Sequence, residues 1–166
     1  IEKLRNISKD LLSITDLIAD LDVWYSLALC AKNNNWICPK ISNSTEFFVK
    51  GARHPVVEFM LKSKSNIFVK NNCFLDNKKI ALITGPNMAG KSTFLRGNAL
   101  IVIMAQIGMF VPASYCKLGV VNKLYSRVGA SDNLAKGLST FMVEMVETAT
   151  ILNQADSKSF VILDEI

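Results

Sequence analysis

Apolar residues in the N-terminal part of the chain recur in steps of three and four, at Leu4, Ile7, Leu11, Ile14, Ile18, Leu21 and Tyr25. That spacing is the seam of a long amphipathic helix, or of one strand of a coiled coil. Ile1 already stands in the pattern with no capping residue ahead of it, so the helix is expected to continue upstream in a longer parent protein. Two readings stay open: a lever joined to another domain, or a helix packed on its own domain. Asn33-Asn34-Asn35 breaks the period and Cys38-Pro39 discourages its continuation, which places a boundary near Lys40.

Beyond that boundary the pattern shortens. Residues 46–50, 56–60 and 67–75 are rich in aromatic and β-branched side chains and read as strands, separated by Gly51, by Pro55 and by a polar loop over 62–66. His54, the only histidine, lies in the turn beside Pro55; a lone histidine lacks the partners a general base needs and is read as structural. After a polar turn at 76–79, residues 80–84 are apolar on both faces, as expected of a buried central strand in an α/β sheet. From Lys91 to about Gln106 apolar residues fall nearly all the way round a helix, which should therefore be buried, and Gly108 and Pro112 end it. Residues 123–128 read as another strand. A helix opens at Ser139, with Met142, Met145, Ala149 and Leu152 expected to face the core. Finally, Phe160-Val161-Ile162-Leu163 leads into Asp164 and Glu165.

Between the apolar run and the buried helix stands Gly85-Pro86-Asn87-Met88-Ala89-Gly90-Lys91-Ser92, which fits the phosphate-binding loop pattern in the strand, loop and helix context it requires. Glycines at both ends let backbone N–H groups turn inward as an anion nest, and the helix behind points its positive end at the same spot. Lys91 adds a point charge for the outer phosphates, and the Ser92 hydroxyl is placed to reach Mg2+. Asp164 and Glu165 after an apolar strand complete the pattern. Asp164 would hold the metal, and Glu165 would orient and deprotonate the attacking water. Ser139 and Thr140, at a helix start, are positioned to cap it or to meet a phosphate.

The 166 residues, half of them hydrophobic, suffice for one domain with a real core. A formal charge of +5 is spread along the chain and reads as a solvated surface rather than a nucleic-acid patch. Cys30, Cys38, Cys73 and Cys116 show neither metal-ligand nor disulfide spacing and suit free thiols in a reducing cytosol. The longest apolar stretch, 99–105, is far too short to span a bilayer, so no membrane partner is expected.

Taken together, the segments TGPNMAGKST (84–93), RVGASDNL (127–134), STFMVEM (139–145) and LDEI (163–166) resemble the ATPase domain of the MutS family of DNA mismatch-repair proteins. The resemblance covers nearly the whole chain: the opening helix is similar to the end of the lever region, and Arg53-His54-Pro55-Val56-Val57-Glu58 to the entry of the ATPase domain. It implies an α/β fold of the ABC-like P-loop NTPase type, with a central mixed or parallel sheet flanked by helices and an antiparallel portion. Residues 1–40 would end the preceding lever or core domain, and 41–166 would begin the ATPase domain.

The implied cofactors are ATP or ADP with Mg2+. The implied nucleotide contacts are Gly85, Pro86, Asn87, Met88, Ala89, Gly90, Lys91, Ser92 and Thr93, with Phe68 and Val69 along the adenine, Ser92 and Asp164 on the metal, and Glu165, Lys91 and Ser139 catalytic. The family places its two ATP sites at a dimer interface, so Ser139 would reach the γ-phosphate held by a second subunit. Further implied partners are a MutL-type protein and mismatched double-stranded DNA, the latter contacted by domains outside this chain, in a cytoplasmic setting.

Two departures stand out. Ala89 replaces a glycine frequent in the family, which is tolerable if that residue keeps a negative φ. The family's Gly-Arg-Gly-Thr continuation after Asp-Glu-Ile, its later histidine and its dimerising helices are not in this sequence. A module that binds nucleotide without appreciable hydrolysis is therefore a second expectation. A transport or break-repair ATPase of the ABC class is disfavoured, because 139–145 lacks a Leu-Ser-Gly-Gly signature.

Overall fold

The seam residues lie on one continuous helix, α1 (Ser8–Asn34), in a computed structural model that describes residues 7–75, 80–128 and 140–164. Asn35 stops α1 by turning left-handed at φ 51°, and the Trp36 N–H reaches back to the Ala31 carbonyl at 2.9 Å. Periodicity identifies the helix without saying what covers it: Leu17, Leu21 and Trp24 are exposed and Ala31 alone is buried.

Strands β1 (Lys40–Ser42), β2 (Phe47–Ala52), β3 (Asn71–Leu75) and β4 (Tyr115–Gly119) form a four-stranded sheet in the order β1-β4-β2-β3. β1 runs parallel to β4, while β2 is antiparallel to both of its neighbours. β4 and β1 escape a reading by composition because they are short and carry lysines, yet β4 alternates cleanly, with Cys116 and Leu118 each 1% exposed on the inner face. A second, two-stranded parallel sheet pairs β5 (Lys123–Val128) with β6 (Ser159–Asp164).

Residues 56–60, expected as a strand, are helical instead. They belong to α2 (Pro55–Ser63), whose N-cap is His54, with its Nδ1 accepting from the Val57 N–H at 3.3 Å. Pro55 at the first helical position suits helix entry, and this end signal overrides the β-branched pair Val56-Val57. The expected strand over 67–75 shortens to Asn71–Leu75, because its partner β2 ends at Ala52, opposite Asn71. Residues 80–84 form no strand. Ile80 and Leu82 are 87% exposed, and the apolar run borders a cavity beside β6 instead of adding to its edge. Apolarity on both faces states that a segment can be buried, but not that a neighbouring strand accepts it.

Helix α3 (Lys91–Gln106) supplies one wall of the core. Ile101, Val102, Met104 and Ala105 pack with Phe47 and Val49 of β2 and Cys116 and Leu118 of β4, while Leu124 of β5 and Phe160 of β6 close the cluster. Each fully buried Ile, Val or Leu here contributes roughly 1.5–3 kcal/mol. Helix α4 (Thr140–Gln154) buries Ile151, whereas Met142 and Leu152 are exposed, so the methionine-bearing face is not the core face. The inward turn is set by Arg127 of β5, 4% exposed, whose Nη2 meets Glu144 at 2.7 Å. That ion pair decides the rotation of α4.

Glycine is required at two strand positions. Gly51 sits at φ +59° in the register shift of the β2–β3 ladder. A Cβ at Gly119 would fall 1.8 Å from the Ser44 carbonyl oxygen, a backbone atom. Gly119→Ala is therefore expected to destabilise the fold by about 3 kcal/mol or more, read as a lowered urea midpoint, since the β1–β4 junction must shift to admit the methyl group. An unchanged midpoint would refute that close approach.

His54 makes a second prediction. Its pKa lies below the ordinary 6.5, chiefly because burial disfavours the cation, opposed by a backbone hydrogen bond and assisted by the positive charge of Arg96. The unfolded chain then takes the proton first, so the contribution of the cap is complete above pH 6.5 and is lost as pH falls through the lowered folded value. His54→Ala should cost about 1 kcal/mol at pH 8, the scale of a lost N-cap. The gap to the unsubstituted protein should narrow on acidification, followed by urea denaturation over that range.

Candidate phosphate-binding site

The loop ahead of α3 turns on Gly90, which caps the helix at φ 94°, and on Met88, a left-handed residue at φ 64° whose side chain stands fully in solvent. Ala89 keeps a negative φ, the condition on which its methyl group is tolerated. The first helical hydrogen bond runs from the Phe94 N–H to the Gly90 carbonyl at 2.9 Å. The N–H groups of Lys91, Ser92 and Thr93 therefore precede the ladder at the positive end of the helix. Lys91 folds back over the loop, its Nζ donating to the Gly85 carbonyl at 2.9 Å, to the Pro86 carbonyl at 3.0 Å and to Asn87 Oδ1 at 3.4 Å. Gly85 to Gly90 are exposed, so this cation and its oxygen cage are open to a ligand.

Phe68 lines a narrow crevice with Thr93, Phe94 and His54 beside the first turns of α3. Val69, its neighbour, points outward at 77% exposure. Asp164 ends β6 opposite Val128 and is 6% exposed, and among the described residues it forms no salt bridge. Carboxylate oxygens are of the donor type that suits a hard divalent cation. β6 packs on α3. Leu95 and Asn98 of α3 border a cavity of about 490 Å³ together with Ile162 and Leu163 of β6 and the run at 80–83. Ser139 and Glu165 lie outside the described residues.

The reading by motif quotes Arg53, Glu58 and Arg127 within longer segments but gives them no role. Arg53 and Glu58, both buried, pair at 3.0 Å, and Arg127 adds Glu147 at 3.9 Å to its bond with Glu144. An arginine in an otherwise apolar or aromatic strand setting is the signal that could have found them, because such a charge needs a partner close by. All four cysteines are free, and burial pushes the Cys73 and Cys116 thiols up to about 11, leaving them protonated and unreactive. Among the described residues, no helix is long and apolar enough to cross a membrane.

The family pattern described as MutS domain V matches residues 81–166. The DNA mismatch repair protein MutS of Dinoroseobacter shibae is 56% identical over 151 residues, covering 90% of this chain and 17% of that protein. Its namesake from Rhodopseudomonas palustris is 54% identical over 163 residues, 95% of this chain and 18% of the relative. The protein of the same name from Zymomonas mobilis is 54% identical over 167 residues, 100% of this chain and 19% of the relative. The chain thus spans less than a fifth of the length of these relatives. With the match running from residue 81 through α3 and β6, the chain belongs to the MutS family of DNA mismatch repair proteins.

Proposed function

We propose that this chain carries the ATP-binding and hydrolysing centre of a MutS-type mismatch-repair protein, an ABC-like P-loop domain over 41–166 preceded by the end of a lever helix. The observation that supports it best is the Lys91 ammonium held at 2.9 Å and 3.0 Å from the Gly85 and Pro86 carbonyls, over the open N-terminus of α3. Phosphate oxygens of a nucleotide would replace those carbonyls as acceptors, at the place where backbone N–H groups and the helix dipole already favour an anion. The Lys91 side chain is accessible and has only to swing outward.

Ser92 and Asp164 would hold Mg2+, one by its hydroxyl and the other by its buried carboxylate. When bound, the ion neutralises charge on the phosphate oxygens. Phe68, beside Thr93, would flank the base, with Val69 at the outer edge. Glu165, next in sequence to Asp164, would orient a water and accept its proton. Ser139 would complete the site of a second subunit from a helix N-terminus, so turnover belongs to a dimer. Hydrolysis there would reset a clamp on mismatched DNA, formed by other domains and read by a MutL-type partner.

Removing the ammonium in Lys91→Ala should weaken ATP binding in the whole protein by roughly ten- to a hundredfold, the worth of one charge-assisted contact of about 1.5–3 kcal/mol. Isothermal titration reads it, and an unchanged affinity would remove Lys91 from the cradle. Glu165→Ala should leave ATP binding in place while lowering steady-state turnover by about 100- to 10,000-fold, the range of a lost general base. Turnover at the unsubstituted rate would sink the role given to Glu165.

A further inference from the structure

The connection between β2 and α2 carries a buried cation that the nucleotide chemistry leaves unused. Arg53 is 8% exposed, and its guanidinium meets three groups from two helices. Nη1 donates to the Asn34 carbonyl at 3.3 Å and to Glu58 Oε1 at 3.0 Å, while Nη2 donates to the Asn35 carbonyl at 2.9 Å. The first and last of these acceptors are the closing carbonyls of α1, where a cation is favoured by the helix dipole. Glu58 lies in the first turn of α2. The Arg53 backbone is fixed as well, its N–H donating at 2.8 Å to the carbonyl of Pro112, in the connection that follows α3.

From Arg53 the contacts run directly to the phosphate-loop helix. The next residue, His54, caps α2 and lies against α3 at Gly97, where a Cβ would stand 3.6 Å from His54 Cβ and 3.7 Å from His54 Cα. The contact is an ordinary van der Waals one, and it lies at the N-cap of α2 rather than along the helix. Gly97 is on the same helix as Lys91 and Ser92, whose first turn would take the phosphates. A displacement of α3 would reach Arg53 through the neighbouring residue His54, whose imidazole caps the helix that carries Glu58. The seam of α1 is otherwise exposed over most of its length, so its end is where α1 and the body of the domain are joined.

We propose that Arg53, with Glu58, is a positioning pair that couples nucleotide occupancy at the loop to the orientation of α1, an inference that rests on the nucleotide reading above. The planar fork is what allows one side chain to hold two helix-end carbonyls and a carboxylate together. A lysine keeps the charge but cannot span all three. Coupling of this kind is a difference in free energy between nucleotide-bound and free states, carried by contacts that differ between them.

Hydrogen–deuterium exchange of the whole protein, read by mass spectrometry with and without a non-hydrolysable ATP analogue and Mg2+, tests it. Unsubstituted protein should show slowed exchange over 85–98 and, in addition, a change of at least roughly fivefold over 24–36, the lower end of ordinary coupling. Arg53→Lys should keep the protection over 85–98 and lose the change over 24–36. The double variant Arg53→Met with Glu58→Leu fills the same space without leaving a lone buried charge, and decides the matter if the single variant does not fold. A response over 24–36 that persists in a folded variant overturns the role of Arg53 and Glu58 alone. Protection over 85–98 with no response over 24–36 in the unsubstituted protein overturns the coupling. No protection over 85–98 overturns the nucleotide reading and the coupling with it.

Discussion

The structure depends on α3 being gripped along its C-terminal half and left open at its first turn. Ile101, Val102, Met104 and Ala105 are enclosed by β2 and β4, with Leu124 and Phe160 from the second sheet closing the cluster. That burial fixes the axis of the helix, and the axis aims its N-terminal N–H groups. Gly90 then decides where the helix starts, because a left-handed residue cannot continue it upstream. A loop with no strong packing of its own is thus presented in one place by the packing of the element behind it. Exposure of the loop and burial of the helix are two consequences of the same constraint.

Buried charge organises the periphery of that core. Arg127 joins β5 to α4 through Glu144, and Arg53 joins the end of α1 to the start of α2 through Glu58 and two carbonyls. In both cases a guanidinium taken out of water needs several oriented acceptors, and meeting that need sets how a helix is rotated against its neighbours. Apolar area alone would not do so, since hydrophobic attraction has no direction. Asp164 differs: it is buried at the end of β6 with no salt bridge among the described residues.

Much of the chain was legible from residue order. Helix α3 over Lys91–Gln106 and strand β5 over Lys123–Val128 match their expected extents, because a buried helix and a short β-rich run carry their signals locally. The misreadings are equally physical. Val56 and Val57 favour a strand, but the imidazole of His54 and the ring of Pro55 close a helix start that outweighs two residues of β preference. Met142 and Leu152 share a face by period, yet Arg127 turns that face outward, and no pattern within α4 contains the position of an arginine on another element.

The sequence by itself determined the glycine-lysine loop, the helix behind it, the apolar strand that ends at Asp164 and membership of the MutS family, since each is a matter of residue type at short spacing. Tertiary structure decided which elements meet. It put β4 between β1 and β2, left residues 80–84 beside a cavity instead of within a sheet, ended β3 where β2 runs out, and closed Arg53 over the end of α1. These outcomes depend on ladder partners and acceptors far away along the chain. Whether a strand has a partner, or a buried charge an acceptor, is settled by what lies opposite in space, and local spacing holds no record of it.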